Sequence, residues 1–268
     1  MATVARPAVL GPRAPAGPAT VGALRVGPAL LALLVGAALW EATSRFWAFP
    51  FQPPIAAIAH ATWRMTMSGE IPGNLGSSVT VLSIGWGMAT LTGVPTGLAL
   101  GRYRLLSVAL DPYIDALLAV PNLLLVPVFF GILGLGRATQ IAVVFLYSFV
   151  VIATTARSGL ATVGRDYVDM ARVFGASEPQ IFRQILLPGA LPAIMAGLRL
   201  GISRAVRALI GAEMLLGPIG LGALLRQYGG RFDAASVFGV LAVLVALALI
   251  ANYVVLVADR RLNHWANG

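Results

Sequence analysis

Four long runs without a single charged side chain limit this chain more than any other feature. They cover residues 71–100, 116–136, 138–156 and 234–258, and each approaches or exceeds the ~20 residues that cross a bilayer as a helix. Two further stretches, 26–40 and 191–216, are apolar but bounded or interrupted by charge. The expected fold is all-α: a polytopic membrane protein with about six transmembrane helices. Only 11% of the residues are charged, against about 25% in ordinary soluble domains. A soluble globular protein is excluded.

The net charge of +9 is carried by arginine alone, with no lysine in the chain. These arginines flank hydrophobic runs instead of lining a polar surface, which argues against a nucleic-acid partner and for a topology signal. Counted on alternate sides of the runs, eleven fall with Arg6, Arg102, Arg157, Arg183 and Arg260, and five with Arg45, Arg64, Arg137, Arg226 and Arg231. The positive-inside bias then puts both termini and the segment 163–188 in the cytoplasm. With no cysteine, disulfides and thiolate metal sites are unavailable. His60 has no visible metal partner, and no metal site is expected.

Residues 166–188 form a polar, helix-forming island between two apolar runs. Tyr167, Met170, Ala171 and Phe174 recur at i, i+3, i+4 and i+7 as one apolar stripe. Gly175 follows, where a helix end favours a residue tolerant of positive φ. Ser177 and Gln180 then read as a capping box, with Pro179 in the first turn. A second short helix carries Ile181, Phe182, Ile185 and Leu186 on one side, and Pro188 is expected to end it. Such a helical hairpin at a membrane surface is a docking element in need of a partner.

The remaining segments supply local expectations. Residues 1–25, rich in Pro, Ala and Gly, form a disordered cytoplasmic tail. The transmembrane domain covers 26–262, and 263–268 form a short C-terminal tail. A retained first helix is favoured over a cleaved leader, because Trp40, Glu41 and Arg45 stand where small residues would precede a cleavage site. Trp40, Phe46 and Trp47 resemble an interfacial aromatic belt. A short helix after Pro54 places Ile55, Ile58, Ala59 and Trp63 on one apolar face, closed by Gly69. Gly93 and Gly97 mark a close-packing face on the second span. Asp111 is read as a helix cap, a structural role favoured over a transport role, and a break is expected near Pro121. In the run 191–216, Arg199, Arg204 and Arg207 lie within about 140° of arc, and Glu213 about 40° beyond Arg199. Arg199 can snorkel to the interface. Arg204, Arg207 and Glu213 are candidates for a translocation path, with structural ion pairs between helices as the alternative.

No G-x-x-x-x-G-K-[ST] phosphate loop occurs, so this chain does not hydrolyse ATP by itself. There is also no H-E-x-x-H or G-x-S-x-G, and an intramembrane enzyme would need some such set. A transporter or channel subunit remains.

Asp169, Met170 and Ala171, with Gly175 one turn on and Ile185, Leu186, Leu187 and Pro188 closing the segment, resemble the cytoplasmic signature of permeases of binding-protein-dependent ABC importers. In that family the segment opens Glu-Ala-Ala; here Asp and Met replace the first two residues. Ala176, Ser177, Gln180, Ile181 and Phe182 stand in the expected places. The likeness continues through Phe51–Pro54, Leu110–Pro112, Val120–Pro121, Gly134–Gly136, Leu187–Pro192, Ala196–Arg199, Ala212–Met214 and Gly220–Gly222, and resembles the sulfonate/nitrate/taurine/bicarbonate branch. Arg207 is not part of the usual pattern.

The resemblance implies a type I importer bundle in a bacterial cytoplasmic (inner) membrane, in contact with lipid. It implies that a second copy of the permease completes one translocation path for a small anionic solute. It also implies two ABC ATPase subunits below, holding the ATP and magnesium, and an extracytoplasmic solute-binding protein outside. The segment 163–188 would then be the ATPase-coupling element. A stand-alone secondary transporter or channel is the rival reading.

Overall fold

The structure is a computed structural model and describes residues 26–46, 51–121 and 124–262. The tails 1–25 and 263–268, and with them the expected disorder, lie outside the described residues, as does Trp47. The described secondary structure is helical. The first helix, α1 (Val26–Phe46), belongs to a unit of its own. Its Glu41 and Arg45 form the i, i+4 ion pair their spacing favours, 2.6 Å apart.

The second unit begins with α2 (Ile55–Met67), α3 (Glu70–Arg102), α4 (Arg104–Ala119), α5 (Leu125–Leu133) and α6 (Arg137–Thr162). It continues with α7 (Arg165–Val173), α8 (Glu178–Ile181), α9 (Leu187–Leu216), α10 (Leu221–Gly230) and α11 (Ala234–Leu262). Its centre is α6, packed between α3 and α9, with Val143, Val144, Ile152, Ala153 and Ala156 almost fully buried. Close approach explains the glycines on both neighbours. A Cβ at Gly97 of α3 would stand 2.3 Å from the Ala153 carbonyl, and one at Gly197 of α9 would stand 1.9 Å from Thr155 Oγ1. Small residues let the backbones meet where hydrophobic exclusion gives no advantage over lipid. Contacts from Gly85 to Val144 and from Gly101 to Leu160 show that α3 and α6 run in the same direction. α9 returns antiparallel, with Gly159 against Ala193 and Gly201 against Ile152.

Four helical stretches among the described residues are long and apolar enough to cross a membrane: α3, α6, 178–215 and α11. The run 116–136 is instead divided. α4 stops at Ala119, Val120 is extended, and α5 has 9 residues, about 14 Å of helix against a hydrocarbon core of about 30 Å. Beyond the four, the count of about six crossings rests on α1 and on this broken pair.

Three local expectations change. Pro188 does not end the second hairpin helix: α8 passes through a π turn (Phe182–Leu186) directly into α9. The Leu187 N–H reaches back five residues to the Phe182 carbonyl, and this wider turn makes room for a proline ring that an ordinary turn would exclude. Asp111 lies inside α4 instead of capping it, accepting from Ser107 Oγ at 2.9 Å and pairing with Arg157 of α6. On α2 the buried residues are Ala61 and Met65, while Ile55 and Trp63 of the expected stripe are exposed.

Candidate functional site

The hairpin closes as its residues direct. Gly175 has φ +80°; its N–H donates to the Arg172 carbonyl at 2.9 Å, and the Ala176 N–H to the Ala171 carbonyl at 3.0 Å. This pair of bonds satisfies the end of α7 as a Schellman motif. The Ser177 backbone N–H and hydroxyl both donate to Gln180 Oε1, at 2.8 and 2.9 Å. Ile181 is buried, anchoring α8. Val168 and Ala171 of α7 are half-buried, but Tyr167, Met170, Val173 and, at the helix end, Phe174 are 64%, 55%, 84% and 83% exposed. Asp169 is 3.4 Å from Arg172, which in turn holds Glu178 at 3.0 Å, and Glu178 also pairs with Arg102 at the end of α3. Sequence reasoning missed this tether, because nothing local links positions 102 and 178.

The three arginines of α9 separate by partner. Arg199 pairs with Asp259 of α11, whose residue is only 8% exposed. One turn on, Ser203 Oγ donates to Asn252 Oδ1 at 2.8 Å. Arg204 and Arg207 have no carboxylate partner among the described residues. Arg207 donates from Nε to the Ser203 carbonyl at 3.1 Å and lines a cavity of about 300 Å³ with Val126, Val143, Tyr147, Ala208 and Ile210. Arg204 lies beside a far smaller space, which shares Tyr147 as a wall.

Glu213 does not join them. It is fully buried, with Oε1 accepting from Ser78 Oγ at 2.7 Å and Oε2 from the Gly222 N–H at 2.8 Å. Ser78 Oγ accepts in turn from the Leu221 N–H at 2.9 Å, and the Gly220 N–H donates to Asn74 Oδ1 at 2.8 Å. Gly220 is required on two counts: φ is +127°, and a Cβ there would lie 2.2 Å from Glu213 Oε1. Arg226 donates to the carbonyls of Met214, Leu215 and Gly217 at 2.9–3.3 Å, closing the end of α9 with a cation. Glu213 thus fastens the 217–222 loop to α3.

Beyond that loop, burial and the adjacent Glu70 carboxylate raise the Tyr228 hydroxyl above its ordinary pKa. Burial alone would raise Asp233. Bonds from the Ser236 hydroxyl and N–H, with Arg64 and Arg231 nearby, instead hold its carboxyl below the usual range. Among the described residues no His, Cys, Asp or Glu cluster is arranged to hold a metal.

Residues 93–265, which include the hairpin, the arginines of α9 and Glu213, match the family model for the binding-protein-dependent transport system inner membrane component. The chain belongs to this family. The permease is 27% identical over 240 residues to a probable ABC transporter permease protein of Brucella melitensis, covering 90% of this chain and 97% of the relative. It is 30% identical over 192 residues to the taurine transport system permease protein of Escherichia coli (72% of this chain, 70% of the relative). Against the nitrate import permease protein of Synechocystis the figures are 33% over 146 residues, 54% and 53%. In fold, it matches a chain of the MetNI methionine ABC transporter in an inward facing conformation, with a TM-score of 0.62 at 21% identity over 74% of this chain and 97% of that one. It is therefore the membrane-embedded permease of a binding-protein-dependent ABC importer, a transport subunit of the inner membrane.

Proposed function

We propose that two copies of this permease form the path of an ATP-driven importer for a small anion, supplied by a solute-binding protein. In this reading both termini and the hairpin 163–188 face the cytoplasm, as the arginine bias directs. Each hairpin seats in an ATPase subunit, which carries the ATP and magnesium. Asp169, Met170, Ala171, Gly175, Ala176, Ser177, Gln180, Ile181, Phe182, Leu187 and Pro188 make up that coupling element. The observation that carries the reading is the uncovered apolar face of α7 beside a helix, α8, that continues without a break into α9. An apolar helix face finds its free energy in a partner groove, and a continuous rod passes the partner's motion to the span as a rigid body.

The cargo reading rests on Arg204 and Arg207, two cations at membrane depth without an acid partner among the described residues. Such groups are costly unless they face water, protein or a ligand, and guanidinium groups suit oxyanions. Sulfonates, taurine, nitrate and bicarbonate fit that chemistry, and taurine and nitrate are the cargoes named for two of the relatives.

Proteoliposomes holding the permease with its cognate ATPase and binding protein test the coupling element. Gly175→Val meets no steric neighbour, yet forces a β-branched residue to φ +80° at about 1–3 kcal/mol. The complex should still co-purify, while ATP-driven uptake falls by about tenfold or more. Unchanged uptake with unchanged ATP hydrolysis would remove the hairpin from the coupling role.

A further inference from the structure

The charges on α9 are not equivalent. Arg199 is neutralised by Asp259 and Glu213 is sealed by Ser78 and Gly222, whereas Arg207 meets a cavity. Its Nε is held by the Ser203 carbonyl, and its two Nη groups have no partner among the described residues. That arrangement orients a guanidinium and leaves its terminal donors available for two oxygens of one anion. By helix rise, Arg207 stands about 30 Å along α9 from Leu187, inside the span.

The cavity selects beyond sign. Its volume of about 300 Å³ is at the lower end for small-molecule pockets. Val126, Val143 and Ala208 are almost completely buried and back the wall, and the half-buried Ile210 offers carbon to an occupant beside the exposed Arg207. One cation against such a wall balances one negative charge. A dianion would keep an uncompensated charge, and a bare, strongly hydrated oxyanion would lose water that the wall cannot replace. An anion whose body is apolar loses little and fills the space. Tyr147 lines both this cavity and the constricted space beside Arg204.

We infer that the cavity between α5, α6 and α9 is a resting site within the permease for an organic monoanion, an apolar body bearing one sulfonate or carboxylate, with Arg207 as its charge anchor. This rests on the importer reading above and narrows the cargo to amphipathic anions recognised by the permease itself. The test uses the full-length permease in lipid nanodiscs, without ATPase or binding protein, titrated calorimetrically with benzenesulfonate against empty nanodiscs. Saturable binding is expected, weakened about tenfold or more by Arg207→Gln, partly restored by Arg207→Lys, and not displaced by equimolar sulfate. Absence of saturable binding, equal binding by Arg207→Gln, or displacement by sulfate would each overturn the inference. ATP-driven uptake by the complete complex is read separately, so the importer reading can survive the loss of this site.

Discussion

At the hairpin end of α3, charges meet where water reaches them; at the other end a carboxylate is enclosed. Arg102, Glu178, Arg172 and Asp169 form a chain of half-exposed ion pairs, each of a kind contributing about 0–1 kcal/mol. Glu213 is instead held by Ser78 and the Gly222 N–H, packed so closely that a Cβ at Gly220 or Gly222 would collide with it. Apolar surface follows the same division. Phe174 and Tyr167 are bare, whereas Leu221 and Leu224 beside the Glu213 loop are buried. One end is built to be completed by another surface, and the other is complete in itself. Substitutions at the enclosed end should act on stability, and those at the hairpin on coupling.

The largest expected effect is at Glu213. Glu213→Ala strands the Ser78 hydroxyl and the Gly222 N–H and opens a cavity, a loss of about 3–5 kcal/mol readable as thermal unfolding of the purified permease. Stability within about 1 kcal/mol of the parent would break the contrast. Phe174→Ser should leave stability within about 0.5 kcal/mol while ATP-driven uptake drops several-fold; a fall in melting temperature with uptake intact would invert the comparison. The smallest effect belongs to Asp233, whose folded pKa lies below its ordinary value. Its contribution is present above the unfolded pKa, about 3.9, and is lost as pH falls through the lower folded value. Asp233→Asn should therefore be less stable than the parent at neutral pH, with the gap closing under acid. A constant gap across that range would show that the charge is immaterial.

How much was legible before the fold depended on range. The Gly175 turn and the Ser177–Gln180 pairing were readable, because caps are made by residues a few positions apart. The close-packing glycines were readable as a class, but Gly87, on the same span, meets only open space. On α2 the apolar face was readable while the buried face was not. Lipid is as apolar as a protein interior, so hydrophobic periodicity does not distinguish the two environments. Pro188 misled for a different reason: a proline reads as a stop unless the preceding turn widens.

The sequence by itself determined the all-helical membrane fold, the amphipathic hairpin and its family likeness, since bilayer length, capping chemistry and helical period are local properties. Tertiary structure alone decided which charges are matched. Arg199 with Asp259, Arg157 with Asp111 and Ser78 with Glu213 stand 60, 46 and 135 residues apart. No local pattern encodes such pairs, because what selects them is the meeting of helices that sequence order keeps apart. Only after those matches are made do Arg204 and Arg207 stand out, two cations in one span without a described acid partner.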